Sequence, residues 1–239
     1  MALVDEAPAE RVIAIAGAGG NLGPSVVRRL SSADAKLALG GRHESALDEL
    51  ANAVGIEADT AAVDLLDAAS ARAWAAGIVE RRGRVDGLVH LVGGWRGGTA
   101  IEAAPLEDWD FLHGLLIRTV QHATQAFAPH LIEGGRGRFV IVSSSQAQSP
   151  TNTNAAYAAA KAAAEAWTLA LAHRFRGTGA TANVIVVSSI VTADMREESP
   201  DKDFSTFTPA EEIAEAVAYL CSDAASSMNG QRLTLRGAA

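Results

Sequence analysis

Short apolar runs of strand length alternate with longer amphipathic stretches from one end of this chain to the other. The runs are VIAIAG, KLALGG, AAVDL, GLVHLVGG, RFVIVSS, NVIVVSS and QRLTLRG. Between them lie LGPSVVRRLSS, ESALDELANAV, AASARAWAAGIVERR, LEDWDFLHGLLIRTVQHATQAFAPHL, AAYAAAKAAAEAWTLALAHRF and PAEEIAEAVAYLCSD. Near-continuous apolar strands, each followed by a segment of helical period, suit a parallel sheet whose crossover helices bury both faces. The pattern predicts an α/β architecture: a doubly wound, mostly parallel, seven-stranded, Rossmann-like sheet with helices on both faces, occupying residues 1–239 as a single domain. Aromatic residues are 5% of the chain and hydrophobic residues 49%, so the core must be built from Ala, Val, Leu and Ile.

One connection breaks the alternation. Residues 190–207, IVTADMREESPDKDFSTF, are polar and aperiodic, and a loop of this length inside a compact fold is either a lid or disordered. The expectation is a substrate lid. Thr208, Pro209 and Glu211 then spell a helix start, with a capping hydroxyl, a proline in the first turn and a returning carboxylate.

A formal charge of -8 argues against nucleic acid or an anionic membrane as partner. Cys221 is the only cysteine, so no intrachain disulfide can form, and its helical setting suits a small apolar residue better than a catalytic thiol. The acidic start MALVDEAPAER lacks the basic and apolar parts of a signal peptide, and no apolar run reaches spanning length. These features suggest a soluble cytoplasmic protein. No metal site is expected.

Directly after VIAI comes AGAGGNLG, Ala16 to Gly23. Its glycines fit G-x-x-G-x-x-G through Gly17, Gly20 and Gly23, or a tighter spacing in which Asn21 stands where a glycine would be expected. A strand, a glycine turn and a helix aim backbone N–H groups and the positive helix end at an anion. The second strand ends in Gly40, Gly41 and Arg42, where an NAD-selective fold usually carries an acidic residue for the ribose hydroxyls. A guanidinium there suits a 2′-phosphate, which predicts NADP(H). Asp64 could accept from an adenine amino group or cap the helix that follows.

Ser144 ends the fifth strand, Tyr157 follows thirteen positions later in YAAAK, and Lys161 lies one helical turn beyond. Residues four apart share a helix face, and an ammonium beside a phenol lowers a pKa normally near 10. With the glycine loop, this set resembles the short-chain dehydrogenase/reductase family over nearly the whole chain, including the ending NGQRLTLRGAA. The resemblance implies a compact reductase with an atypical glycine loop, in which Tyr157 is the acid/base, Ser144 holds the carbonyl oxygen, and Lys161 supports the phenol and reaches the nicotinamide ribose. It implies cofactor contacts from Gly17, Gly20, Asn21, Leu22, Gly23, Arg42, Asp64, Leu65, Val92, Gly93, Tyr157, Lys161, Ile190 and Thr192. Substrate contacts would come from Trp95, Gln146 and Met195. A small-molecule carbonyl or alcohol is the expected substrate and a homotetramer or dimer the expected assembly.

The chain departs from the family pattern in four places. Asn21 gives the loop a spacing similar to that of extended and atypical branches, and Asn tolerates left-handed backbone better than other side chains. His90 and Leu91 replace asparagines, His90 fitting a hydrogen-bonded core position better than a ligand or base. Leu116 falls where an asparagine normally holds a relay water. Val186 to Ser189 replace a proline-glycine turn, while Thr192 matches the threonine that contacts the nicotinamide amide. Rival readings are a non-catalytic nucleotide sensor or partner-binding protein, and an isomerase or dehydratase on the same scaffold.

Overall fold

The computed structural model describes residues 10–236. The first nine residues of the acidic start and the terminal Gly-Ala-Ala lie outside the described residues. Seven strands form one parallel sheet: β1 (Val12–Ala16), β2 (Lys36–Gly41), β3 (Ala58–Ala62), β4 (Gly87–His90), β5 (Arg138–Ser144), β6 (Thr181–Val187) and β9 (Arg232–Thr234), in the order β3-β2-β1-β4-β5-β6-β9. The order reverses between β1 and β4, which opens the crevice at the carboxyl ends of the strands where ligands of such sheets bind. The α/β doubly wound expectation is met.

One face of the sheet packs on α3 (Ala68–Arg82), α5 (Thr119–Glu133) and α6 (Ala155–Arg174), through a core that includes Trp74, Phe127, Phe139 and Phe175. The other packs on α1 (Gly23–Ser31), α2 (Glu44–Val54) and α8 (Ala210–Cys221), through Ile13, Val26, Leu47, Ile185 and Val217. Cys221 is buried, and burial pushes its thiol up to about 12, so it acts as a core side chain. Among the described residues no helix is long and apolar enough to cross a membrane, and no group of three or more His, Cys, Asp or Glu could hold a metal.

The structure corrects several boundaries. β3 is Ala58–Ala62, earlier than the AAVDL run, because it is an edge strand of small and polar residues that the apolar pattern passes over. β4 stops at His90 rather than Gly94; Leu91 N–H donates once more to Ala16 O at 2.8 Å and the chain then leaves the sheet. The long fourth helix is three pieces: α4 (Leu106–Leu112), a π-helical stretch (His113–Arg118) and α5. Such π insertions concentrate at functional sites.

The segment 190–207 is not structureless. It contains β7 (Ile190–Val191), which pairs in parallel with β8 (Thr208–Pro209), and α7 (Ala193–Glu198). Phe204 is buried and meets Phe207 edge-on at 5.1 Å, with Arg196 and Lys202 over the rings. The expected helix start after it does not form as a capping box. Pro209 is the residue before α8 and no side chain caps the helix. Thr208 is instead a fully buried strand residue whose Oγ1 has no partner, and Glu211 accepts from Ser25 Oγ across to α1 at 3.1 Å. Pairing with β7 claims the threonine before the helix can.

Candidate active site

The glycine loop is shaped by close approach. Gly17 has φ +79, and a Cβ on it would lie 2.9 Å from Val92 N. A Cβ on Gly23 would fall 1.7 Å from Ala18 O, so the first turn of α1 rests directly on the loop backbone. Gly20 N–H donates to Gly17 O at 3.0 Å and Gly23 N–H to Gly20 O at 2.9 Å, the two nested turns of the G-x-x-G-x-x-G spacing. Asn21 does not use the left-handed backbone expected of it; among the described non-glycine residues only Asp34 has positive φ. Its role is therefore not a glycine substitute, because the turn falls on Gly17. Asn21 and Leu22 present N–H groups without a protein acceptor among the described residues, and no acidic residue occupies the first turn of α1. Such a helix end, with unpaired N–H donors and no carboxylate of its own, suits an anion.

Beside it, β2 ends over two side chains from below: a Cβ on Gly40 would strike the Trp74 ring at 2.6 Å, and one on Gly41 would lie 3.3 Å from Leu47. Arg42 is exposed and makes no ion pair or side-chain hydrogen bond among the described residues. Asp64 lies beyond β3, and its side chain accepts from Leu66 N–H at 2.8 Å. The helix cap belongs to Asp67, which accepts from Ala69 N–H at 2.8 Å. Leu65 is buried, and its carbonyl contacts His122 Nδ1 at 2.9 Å. Val92 and Gly93 lie in the irregular stretch after β4, alongside the glycine loop.

The catalytic candidates converge where α6 lies against the end of β5. Ser144 is buried and accepts from Gln146 N–H at 3.2 Å, and its hydroxyl is close enough to the Tyr157 phenol to pull that group's pKa downward. Lys161 Nζ donates to Val142 O at 2.9 Å and sits 5.9 Å from the centroid of the Tyr157 ring. The expected lowering of the phenol pKa is reversed. Burial holds Tyr157 above its ordinary 10, and the bond from Ser144 only partly offsets this. Lys161, turned to the strand carbonyl, does not offset the burial of the neutral phenol. Burial pushes Lys161 itself down to about 8, against the pull of Glu165.

His90 is 3% exposed, and burial next to Lys161 pushes it down to about 3, so it is a neutral core imidazole. Its Nε2 has no hydrogen-bond partner among the described residues, while a hydrogen bond to its own backbone works against the burial. Leu116 lies in the π-helical stretch, 2% exposed, in a small cluster with Leu112, Ile117 and Ala160 against which Tyr157 packs. The bend in the long helix is present, but its side chain is apolar and cannot hold a water.

On the substrate side, Trp95 is 57% exposed and Gln146 Oε1 accepts from Asn154 Nδ2 at 2.9 Å. Thr192 caps α7, its Oγ1 accepting from Met195 N–H at 3.2 Å, and Ile190 lies half-buried in β7. All these residues sit on segments leaving the carboxyl edge of the sheet.

Sequence reasoning missed Glu165. It is 1% exposed and accepts three hydrogen bonds: from Ser143 Oγ, Gln148 Nε2 and Arg232 Nε, each at 2.6 Å. The signal was present, since Tyr157, Lys161 and Glu165 are the only polar residues in the first eleven of α6 and recur every fourth position.

Sheet order, glycine turn and the Ser-Tyr-Lys cluster together define a class of nucleotide-dependent oxidoreductase. The short chain dehydrogenase family model matches residues 11–203, and the chain belongs to that family of oxidoreductases. It is 29% identical to gluconate 5-dehydrogenase of Gluconobacter oxydans over 93% of this chain and 92% of that one. Among solved structures it is similar to a gluconate 5-dehydrogenase from Burkholderia cenocepacia in complex with NADP and tartrate, with 27% identity, a TM-score of 0.83, and 95% and 94% of the two chains covered. It is equally similar to a 3-ketoacyl-(acyl-carrier-protein) reductase from Brucella melitensis complexed with NADH, with 25% identity, a TM-score of 0.84, and 95% and 97% coverage.

Proposed function

We propose that the chain is an NADP(H)-dependent reductase of a small-molecule carbonyl, or the corresponding alcohol dehydrogenase, working as one domain with residues 190–207 as the substrate lid. The observation that carries the reading is the cluster of buried Ser144 with half-buried Tyr157 and Lys161 at the carboxyl end of β5. The residues fit the cofactor: the turns at Gly17 and Gly23 admit no side chain, and Asn21 and Leu22 offer free N–H groups to a diphosphate. Arg42, exposed and without an ion pair, would meet a 2′-phosphate, with Asp64, Leu65, Val92, Gly93, Ile190 and Thr192 along the rest of the crevice. Bound there, the nicotinamide supplies or accepts the hydride.

The chain's own part is orientation and proton transfer. A phenol held above its ordinary pKa stays protonated at neutral pH, the form that can donate to a developing alkoxide. Ser144, already fixed by Gln146 N–H, supplies a second donor to the same oxygen. Lys161 is charged over most of the neutral range and stands next to the phenol to support it once deprotonated. Leu116 removes the usual water holder, so the proton must return through Lys161 rather than along the long helix.

Consumption of NADPH and NADH against a panel of ketones, quinones and pteridines tests the reading. NADPH should be preferred, and Arg42→Ala should weaken it by about 1.5–3 kcal/mol, the worth of a charge-assisted contact. Equal affinity for both cofactors, or no loss in Arg42→Ala, removes the NADP assignment. Binding of NADPH with no turnover of any substrate would favour the sensor reading, which the apolar Leu116 position motivates. The lid predicts that hydrogen exchange in 190–207 slows with cofactor and substrate; ligand-independent exchange there would argue against it.

A further inference from the structure

Three polar residues on one row of α6 meet three successive residues at the end of β5. Lys161 donates to the Val142 carbonyl, Glu165 accepts from Ser143 Oγ, and Tyr157 lies beside Ser144. Each step of four along the helix keeps the three side chains on the same face, and they meet the strand end through one backbone carbonyl and two serine hydroxyls. Glu165 also reaches outward, taking Gln148 Nε2 from the 3-10 turn after Ser144 and Arg232 Nε from the last strand. All three partners are donors, which suits a carboxylate, an acceptor only. A fully buried carboxylate tied to both sides of the catalytic serine is more than a sheet staple.

We propose that Glu165 is a positioning residue of the active site: it locks the strand end and turn that carry Ser144 onto the catalytic helix, and its negative charge keeps Lys161 an ammonium. The proposal rests on the reading of Lys161 as a working residue. Buried surroundings push Lys161 down to about 8, and Glu165, one turn further along the helix, opposes that. Two other titratable groups face Lys161, Tyr157 on the same helix and His90 on β4, while Arg232 on β9 reaches Glu165. His90 is neutral throughout the relevant range, and Arg232 is held by Glu165 itself.

The chain has only three lysines, Lys36, Lys161 and Lys202, so protein labelled with 13C at lysine Cε gives three side-chain signals, and a Lys161→Met sample identifies the buried one. Following that signal with pH reads the ammonium directly, without turnover. In Glu165→Gln, which keeps size and one acceptor oxygen, the Lys161 transition should move to lower pH, and the alkaline fall of NADPH turnover should move down with it. Arg232→Gln leaves the carboxylate without its counter-charge and should move the same transition upward, which keeps the test open if Glu165→Gln folds poorly. An unchanged Lys161 titration in either folded variant overturns the proposal, as does a shifted titration with an unshifted turnover profile. If the lysine shifts as stated but the wild type turns over no carbonyl substrate, the charge coupling stands and the oxidoreductase reading fails.

Discussion

Asp86 at one end of the sheet and Lys161 at the other carry buried charge in opposite ways. At the amino-terminal edge, Asp86 is fully buried and accepts from Arg84, from Arg136 and from Val12 N–H at 2.9 Å. Burial works against its charge, but these donors outweigh it and hold the carboxyl below its ordinary 3.8. Beside it, buried Arg138 donates to the carbonyls of Arg136, Gly137, Gly179 and Ser222, and Arg11 pairs with Asp223. Burial lowers Arg138 against its charge even so, and at the carboxyl edge Lys161 and Tyr157 are displaced in that same sense, opposite to Asp86. Lys161 is pushed down, Tyr157 up, and His90 keeps an unpartnered nitrogen. Thr181 Oγ1 also lacks a partner near the amino edge, so the contrast is one of charge rather than of every polar atom. Charges supplied with partners hold a fold together, and charges kept short of them are available for chemistry.

The contrast predicts effects of opposite sign. Lys161→Met should cut carbonyl turnover by on the order of 100- to 10,000-fold, the usual scale for losing a group that serves proton transfer. It should not destabilise the fold at neutral pH. The folded value of about 8 lies below the ordinary 10.5, so the folded state carries a penalty that is complete below about pH 8 and fades as pH rises toward 10.5. The stability gain of Lys161→Met, read by thermal unfolding, should therefore be largest below about pH 8 and shrink above it. A variant less stable than wild type at pH 7 would break the comparison.

Asp86→Asn should do the reverse, losing about 3 kcal/mol of stability in denaturant unfolding because the buried carboxylate that Arg84 and Arg136 share is replaced by a neutral amide. Turnover per folded molecule should be unchanged. Asp86 has a lowered folded value, so its contribution is present above pH 3.8 and is lost as pH falls through the folded value. The variant and the wild type should converge in stability in acid below that range. A large loss of turnover in folded Asp86→Asn would show that the two ends are not separable.

The smallest effect is expected at Leu116. Leu116→Asn restores an amide to the π-helical bend, but into a packed apolar cluster with Leu112, Ile117 and Ala160. Turnover should stay within a few-fold of wild type, while unfolding should show a cost of about 1–3 kcal/mol for the buried amide. A rise of a hundredfold or more would mean that the proton relay of the wild type is incomplete.

The difference between the two ends also explains what the sequence could disclose. The central strands and all six crossover helices appear in the period of apolar residues, because burial on both faces leaves no other solution. β3 escaped that logic because only one side of it is paired, and Thr208 because pairing with Ile190 is a contact between residues far apart in the chain. Ser144, Tyr157 and Lys161 could be read from spacing on one strand end and one helix. The direction of the Tyr157 displacement could not, since it is set by the burial of the phenol in the fold, which outweighs the opposing influence of Ser144. The amino-edge cluster gave no local pattern at all, as Arg11, Asp86, Arg136 and Asp223 meet only after folding.

NADPH turnover by Tyr157→Phe, on a carbonyl substrate that the wild type reduces, tests the account most directly. The variant lacks only the hydroxyl oxygen and its proton, and its ring keeps the packing against Leu112, Leu116, Ile117 and Ala160. It should bind NADPH and unfold as the wild type does, with turnover lower by on the order of 100- to 10,000-fold. Equal turnover in the two proteins would contradict the account, because the proton would then come from a group other than the phenol at the end of β5.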